Sequence, residues 1–279
     1  MDLLKRKLAP ISSEAWEQID DEARRVLKLN LAGRKLVDFS GPHGWHKAAV
    51  NTGRLKHIAN APVEEVGHAI RDVRPLMELR SQIVLDTLEL DYAARGAKDL
   101  DLDPIVLAAE RVARAEDNAI FHGFKEAGIT GIIEASPHTP IQVPTSSEWP
   151  RAISKAKEVL RRAGIDGPYA LALGRPAYDE ITSEDEGGYP LRNRIEEAMS
   201  GALIWAPVLE GGACLVSTRG GDYELTVGQD LSIGYTAHDR KSVELYLTES
   251  FTFRVLEAKA GLWLQGPPAL APTPAPARK

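Results

Sequence analysis

The chain of 279 residues contains a single cysteine, Cys214. One cysteine cannot form an intramolecular disulfide, and it cannot supply the several thiolates of a structural metal cluster. The apolar run around it, residues 212–216, is typical of a strand. We therefore interpret Cys214 as a small buried hydrophobic residue rather than a reactive thiol.

Long apolar runs are also missing, although 43% of the residues are hydrophobic. Residues 1–7 lack the continuous apolar stretch of a signal peptide. Nowhere does the sequence approach the roughly 18 uninterrupted apolar residues of a membrane span. These features predict a cytoplasmic protein without a membrane partner.

Concentrated positive charge is absent as well. The chain has 34 Lys and Arg residues against 40 Asp and Glu residues, a formal net charge of -6, and the basic residues are scattered. Neutralising phosphates requires a dense basic surface. We therefore expect no nucleic acid partner.

Signatures of catalysis and cofactor binding are missing too. The sequence has no Gly-x-Ser-x-Gly elbow, no phosphate-binding Gly-x-x-x-x-Gly-Lys and no dinucleotide-binding Gly-x-Gly-x-x-Gly. His43 and His46 lack the further ligands that zinc requires. Residues 99–103 begin like a calcium loop, but Pro104 stands where that loop needs a glycine. We predict no catalytic residues, no metal site and no cofactor.

Two segments carry strong helix signals. Ser13 is predicted to cap an amphipathic helix that ends near Gly33, because apolar residues recur there at spacings of three or four. Asp103 is predicted to cap a second helix, with Pro104 at its first position and Gly123 after its end. The second helix has the composition of a core spine.

A long strand is predicted from Met77 to Asp86, where apolar and polar residues alternate. The alternation leads us to expect Glu89 and Asp91 on one solvated face of the same strand. A turn signal and polar residues precede it, so residues 48–78 resemble an extended hairpin arm. Exposed strand edges are usually covered or paired, and a neighbouring subunit is a natural partner.

Several short segments of the chain are distinctive in their sequence, order and spacing. The longest is residues 219–235, and others include residues 33–38, 41–45 and 249–253. In this order they resemble the classical, linocin-like encapsulin shell proteins over about residues 1 to 260. The resemblance implies an α+β fold of the Hong Kong 97-type phage capsid class, with a peripheral domain, an axial domain and an extended loop.

The resemblance also divides the chain into segments. These are the N-terminal helix and start of the peripheral domain (1–47), the extended loop (48–78), the peripheral domain with the spine helix (79–136), the axial domain (137–226), the C-terminal strands of the peripheral domain (227–266) and a disordered Pro-rich tail (267–279).

By resemblance, the chain is a non-catalytic subunit that assembles with its own copies into an icosahedral cage of the smallest class. The cage would enclose a peroxidase or a ferritin-like iron oxidase through a C-terminal targeting peptide. The matching groove positions are Val26, Leu27, Leu31, Arg34, Asp38, Leu231, Ile233 and Tyr235. A simpler alternative is that the aliphatic residues pack the helix onto the sheet while Arg34 pairs with Asp38.

A second site implied by the resemblance is a loop at the fivefold pore. Its residues are Glu184, Asp185, Glu186, Gly187, Gly188 and Tyr189. Three acids per subunit, repeated by symmetry, would form a ring that favours cations over anions.

Two other functions stay open from the sequence. A phage or prophage major capsid protein would share the fold but package DNA, and a cytoplasmic hydrolase would hide its site among scattered residues. Nucleic acid in the particles would identify the capsid protein. A small oligomer instead of a cage would identify the hydrolase.

Overall fold

The computed structural model describes residues 3–60, 62–63, 65–183, 185–186, 189–199 and 201–266. They separate into two compact units. Unit 1 lies within residues 1–134 and 223–256, and unit 2 lies within residues 135–222 and 257–279. The Pro-rich tail, residues 267–279, lies outside the described residues.

The described helices are α1 (Ser13–Asn30), α2 (Thr87–Ala94), α3 (Asp103–Phe121), α4 (Ile132–Ala135), α5 (Trp149–Arg162), α6 (Arg175–Ser183) and α7 (Leu191–Met199). The described strands are β1 (Asp38–Ser40), β2 (Ala49–Ile58), β3 (His68–Pro75), β4 (Met77–Asp86), β5 (Ile141–Gln142), β6 (Tyr169–Leu173), β7 (Asp185–Glu186), β8 (Tyr189–Pro190), β9 (Leu203–Trp205), β10 (Gly212–Ser217), β11 (Tyr223–Val227), β12 (Ser232–His238), β13 (Ser242–Val255) and β14 (Gly261–Gln265). Each of these helices is too short or too polar to serve as a membrane span.

The two predicted helices of unit 1 are present, but each begins one residue earlier than we expected, at the residue predicted to be its cap. Ser12 caps α1, because its hydroxyl accepts a hydrogen bond from the main-chain N–H of Ala15 at 3.2 Å. Leu102 is the residue that precedes α3, and Asp103 lies in its first turn. A carboxylate there still stabilises the positive end of the helix.

The sheet of unit 1 is organised around β13. This strand pairs antiparallel with β4, β11 and β12, and β11 pairs parallel with β1. The core between this sheet and α1 and α3 contains Ile19 and Val112 from the helices and Ile83 and Leu245 from the strands. The alternation that predicts β4 therefore arises because one face of this strand packs on the core.

The predicted hairpin arm is a separate two-stranded sheet in which β2 pairs antiparallel with β3. Its register shifts between Asn51 and Leu55. Several of its aliphatic side chains are exposed, including Leu55 at 56% and Ile70 at 62%.

The prediction for Glu89 and Asp91 was wrong, because both residues lie on α2 instead of on a strand. The strand ends at Asp86, whose carboxylate accepts a hydrogen bond from the main-chain N–H of Leu88 at 2.7 Å and caps the helix. Alternating Leu and Glu suit a half-buried strand, but both are also good helix formers. A side-chain cap therefore decides the local structure here.

The sheet of unit 2 has the order β5-β14-β10-β6-β9. In it β14 pairs antiparallel with β10, so Trp263 lies opposite Cys214. Residues 261–265 therefore belong to the sheet of unit 2, whereas β13 of the same predicted segment, residues 227–266, belongs to the sheet of unit 1. Cys214 is fully buried as predicted, and burial raises its pKa to about 12.

Candidate functional site

A groove of about 500 Å³ opens in unit 1 beside α1. The other sides are formed by the turn that enters β12 and by the N-terminal segment. The lining combines aliphatic and charged side chains: Leu4, Ala23, Leu27, Leu231, Ile233 and Leu247, with Arg6, Asp20, Arg24, Lys28, Arg34, Asp230 and the polar Ser232. Apolar and polar residues thus contribute to the lining in nearly equal number.

The contribution of α1 to the groove follows from helical spacing. Ile19 faces the core and is fully buried. Arg24 follows Asp20 by four positions, and Leu27 and Lys28 follow Arg24 by three and four, so these residues form the stripe next to that core face. The same helix thus packs one stripe into the core and presents the adjacent one to the groove.

Four of the eight predicted groove residues line this groove: Leu27, Arg34, Leu231 and Ile233. Leu27 and Ile233 are largely buried, whereas Leu231 is half-buried and leaves part of its side chain accessible. Among these four, Leu231 is the apolar side chain that is best placed to meet a ligand.

The other four predicted residues lie elsewhere in unit 1. Val26 and Leu31 are core residues with 3% and 7% exposure, which matches the simpler alternative for these two. Asp38 is exposed on β1, and Tyr235 is half-buried on β12. Neither is among the described residues that line the groove.

The sequence reasoning missed several lining residues. These are Leu4, Arg6, Asp20, Ala23, Arg24, Lys28, Asp230, Ser232 and Leu247. Those on α1 could have been found from the helical stripe, because its spacing is visible in the sequence. Leu4 and Arg6 carry no such signal, since they precede the helix and reach the groove through tertiary contacts.

A buried charge cluster lies at the Arg34 end of the groove. The Arg34 guanidinium donates hydrogen bonds to both carboxylate oxygens of Glu116, at 2.7 to 3.0 Å, and to Glu249. It also donates to Asp230 Oδ1 at 2.9 Å. Glu116 and Glu249 are fully buried, and Asp230 is 37% exposed. The sequence reasoning named Asp38 as a partner of Arg34 and did not identify these three carboxylates.

The cluster raises the pKa of two of its members, Glu249 and Arg34. Burial and the nearby charge of Glu116 raise the pKa of Glu249 well above its usual value, although Arg34 opposes the shift. Burial alone would lower the pKa of Arg34, but its hydrogen bonds and the surrounding carboxylates raise it overall. Arg34 therefore stays charged and is the group that holds the two buried acids together.

Asp117 fixes the turn that carries Arg34. Its two carboxylate oxygens accept hydrogen bonds from the main-chain N–H groups of Ala32 and Gly33, at 2.9 and 2.8 Å. A side chain at Gly33 would collide with Ile120, so the turn packs closely on α3. Burial raises the pKa of Asp117 to about 7 against the lowering effect of these hydrogen bonds.

The predicted pore loop is only partly described. Glu184, Gly187 and Gly188 lie outside the described residues. The backbone of β7 pairs antiparallel with that of β8, which makes a short hairpin. Within the described part of the chain, no group of three or more His, Cys, Asp and Glu residues could hold a metal ion.

Comparison with known proteins places the chain among shell proteins. The profile of a family described as "encapsulating protein for peroxidase" matches residues 1–252. The type 1 encapsulin shell protein of Rhodospirillum rubrum is 48% identical over 95% of this chain and 97% of its own length. The corresponding protein of Mycobacterium tuberculosis is 41% identical over 95% of this chain and 99% of its own length.

Solved structures share the fold at low sequence identity. The virus-like particle from Pyrococcus furiosus has a TM-score of 0.64 at 13% identity, covering 90% of this chain and 100% of that one. The capsid of Myoviridae phage XM1 has a TM-score of 0.54 at 13% identity, covering 85% and 92%. This likeness shows a capsid fold and nothing about cargo.

Proposed function

Because the chain belongs to the encapsulin family of shell proteins, we propose that its cage holds a cargo enzyme through a C-terminal targeting peptide bound in the groove. Membership makes the chain a structural, capsid-like shell subunit of the Hong Kong 97-type fold and not an enzyme. The observation that carries the proposal is the groove of unit 1, which is lined by both aliphatic and charged residues.

The groove suits a short peptide with aliphatic side chains. Its volume of about 500 Å³ is that of a small-ligand site. Leu231 and Ile233 stand two positions apart at the start of β12, and Leu27 contributes from α1. A peptide beside this strand would pack its apolar side chains against these three residues and satisfy its polar groups with the charged residues of the lining.

The cargo we propose is a peroxidase or a ferritin-like iron oxidase. The family description names a peroxidase as the encapsulated protein, which supports the first. The proposal of a ferritin-like iron oxidase rests on the family resemblance alone. We place assembly in the cytoplasm on the same resemblance, and fractionation of the native cells would test that location.

For assembly, we propose the smallest icosahedral class, with unit 2 corresponding to the axial domain and residues 184–189 lining the fivefold pore. We propose that the hairpin of β2 and β3 pairs with neighbouring subunits. Its exposed aliphatic side chains, at Leu55, Ile58, Ile70 and Val73, support this proposal because such side chains are usually covered in an assembly.

The test begins with purification of shells from the native cell and identification of the enzyme inside them. The C-terminal segment of that enzyme, fused to green fluorescent protein, then serves as a reporter that is coexpressed with the shell. We expect Leu231→Asn to lower reporter fluorescence per shell by about tenfold, since it places an amide where an apolar side chain would pack.

The matched control is Leu256→Asn, because Leu256 is an exposed leucine of unit 1 outside the groove lining. Equal loading of the Leu231→Asn and control shells would refute the groove as the cargo site. Particles that contain DNA and no enzyme would refute the cargo function itself.

A further inference from the structure

We propose that the N-terminal segment, residues 3–8, forms a third wall of the cargo groove and that the Leu4 side chain contacts the bound peptide. This inference rests on the proposed function, because the occupant is the same targeting peptide. Leu4 and Arg6 line the groove together with α1 and β12. The Leu4 side chain is half-buried, so part of its apolar surface is available to a ligand.

The beginning of the segment is fastened to the sheet. The main-chain N–H of Tyr235 on β12 donates a hydrogen bond to the carbonyl oxygen of Leu4 at 2.8 Å. The hydroxyl of Tyr246 on β13 donates to the carbonyl oxygen of Leu3 at 3.0 Å. Two successive carbonyl groups are thus held by two neighbouring strands.

The Tyr246 ring is itself held in place by its surroundings. The Arg80 guanidinium lies 3.6 Å from the centre of the ring, close enough for a cation–π interaction. On β12, the ring occupies the space that a side chain at Gly234 would need. A glycine at this position lets the ring approach the strand, and the hydroxyl can then reach Leu3.

The end of the segment is fastened to α1. Arg6 forms an ion pair with Asp20 at 2.7 Å, and its guanidinium lies 3.9 Å from the centre of the Trp16 ring. Both partners belong to α1. The segment therefore connects the two other sides of the groove, with Leu4 anchored to β12 and Arg6 anchored to the helix.

A wall and a plug make opposite predictions for this segment. A plug would occupy the peptide's position, so its removal would strengthen cargo binding. The groove retains about 500 Å³ with Leu4 and Arg6 in place, which favours a wall. Weakening a wall removes apolar contact and lowers cargo binding.

The experiment compares Leu4→Ala with Leu8→Ala, using the same reporter at limiting expression. Leu8 belongs to the same segment but is 67% exposed and outside the groove lining. We expect Leu4→Ala to reduce reporter fluorescence per shell by about fivefold, because about half of a leucine side chain would lose its contact. We expect no change for Leu8→Ala.

A second variant, Tyr246→Phe, tests the positioning of the wall without changing a residue of the groove lining. It removes one hydrogen bond to the segment and retains the aromatic ring. We expect faster amide hydrogen exchange in residues 3–8 and about threefold lower loading, at an unchanged thermal midpoint of the shell.

Unchanged or increased loading of Leu4→Ala shells would overturn the third-wall inference. This result is distinguishable from failure of the proposed function, because Leu231→Asn would still lower loading by about tenfold if the groove binds the peptide. If Leu231→Asn also loads normally, the cargo site itself is wrong. Electron microscopy of each variant shell verifies that assembly is intact.

Discussion

The variant Arg34→Met tests how the buried charge cluster stabilises unit 1. Methionine has a similar length and no charge, so the change removes the guanidinium while filling much of its space. Glu116 and Glu249 would remain fully buried without a cation between them. Removing one partner of a buried ion pair typically costs about 3–5 kcal/mol, because the remaining charge is uncompensated.

The geometry determines how this cost is divided. The Glu116 and Glu249 contacts are buried, whereas the Asp230 contact is 37% exposed and therefore contributes less than about 1 kcal/mol. A loss of 3–5 kcal/mol corresponds to a decrease in the unfolding midpoint of roughly 6–20 °C for a domain of this size. We expect this decrease in thermal denaturation of assembled shells, measured at one protein concentration.

The effect should depend on pH with a definite sign. Without Arg34, the acids lose the charge that opposes the upward shift of the Glu249 pKa. A folded protein whose buried acids have raised pKa values becomes less stable as the pH rises. The Arg34→Met variant should therefore be less impaired near pH 5 than near pH 8. Arg34→Lys should lie between the variant and the wild type, since it retains a charge but not the planar fork. A midpoint that is unchanged at both pH values would refute this account of the cluster.

Two further predictions concern other acids. Because the pKa of Asp117 is raised to about 7 in the folded chain, its contribution to stability should be present below about pH 4 and lost as the pH rises through 7, with an upper limit of about 4 kcal/mol. Asp117→Asn should flatten the pH dependence of the thermal midpoint, and an unchanged slope would contradict the assignment. Neutralising Glu184, Asp185 and Glu186 together should slow the uptake of a divalent metal ion into the shell, measured by stopped flow, and equal rates would exclude an acidic pore ring.

The periodic parts of the fold could be predicted from the sequence. The spacing of apolar residues in α1 and α3 and the alternation in β4 correspond directly to the faces that these elements bury. The α2 helix could not be predicted in this way, because a single cap at Asp86 separates it from the preceding strand. Such a local hydrogen bond leaves no periodic signal.

The groove was predictable only in part. Leu27, Arg34, Leu231 and Ile233 were identified through the family resemblance, and they line it. The acidic partners of Arg34 could not be identified, because Glu116 and Glu249 are far from it in sequence and meet it only after folding. A charged residue in a sequence gives no indication of which opposite charge will neutralise it in the core.

Asp230 belongs to the charge cluster and also lines the groove. Two variants separate its ion pair with Arg34 from its hydrogen bond to Leu231. Its Oδ1 atom accepts hydrogen bonds from Arg34 at 2.9 Å and from the main-chain N–H of Leu231 at 2.8 Å. Asp230→Ala removes the acceptor that holds Leu231 at the groove, whereas Asp230→Asn retains a carbonyl oxygen there. We expect the alanine variant to lower reporter loading about threefold while the midpoint shifts by no more than a few degrees, because the ion pair is partly exposed. The asparagine variant should load nearly normally. Equal loading by both variants would mean that the turn is held by the rest of the strand and that Asp230 acts only as a partner of Arg34.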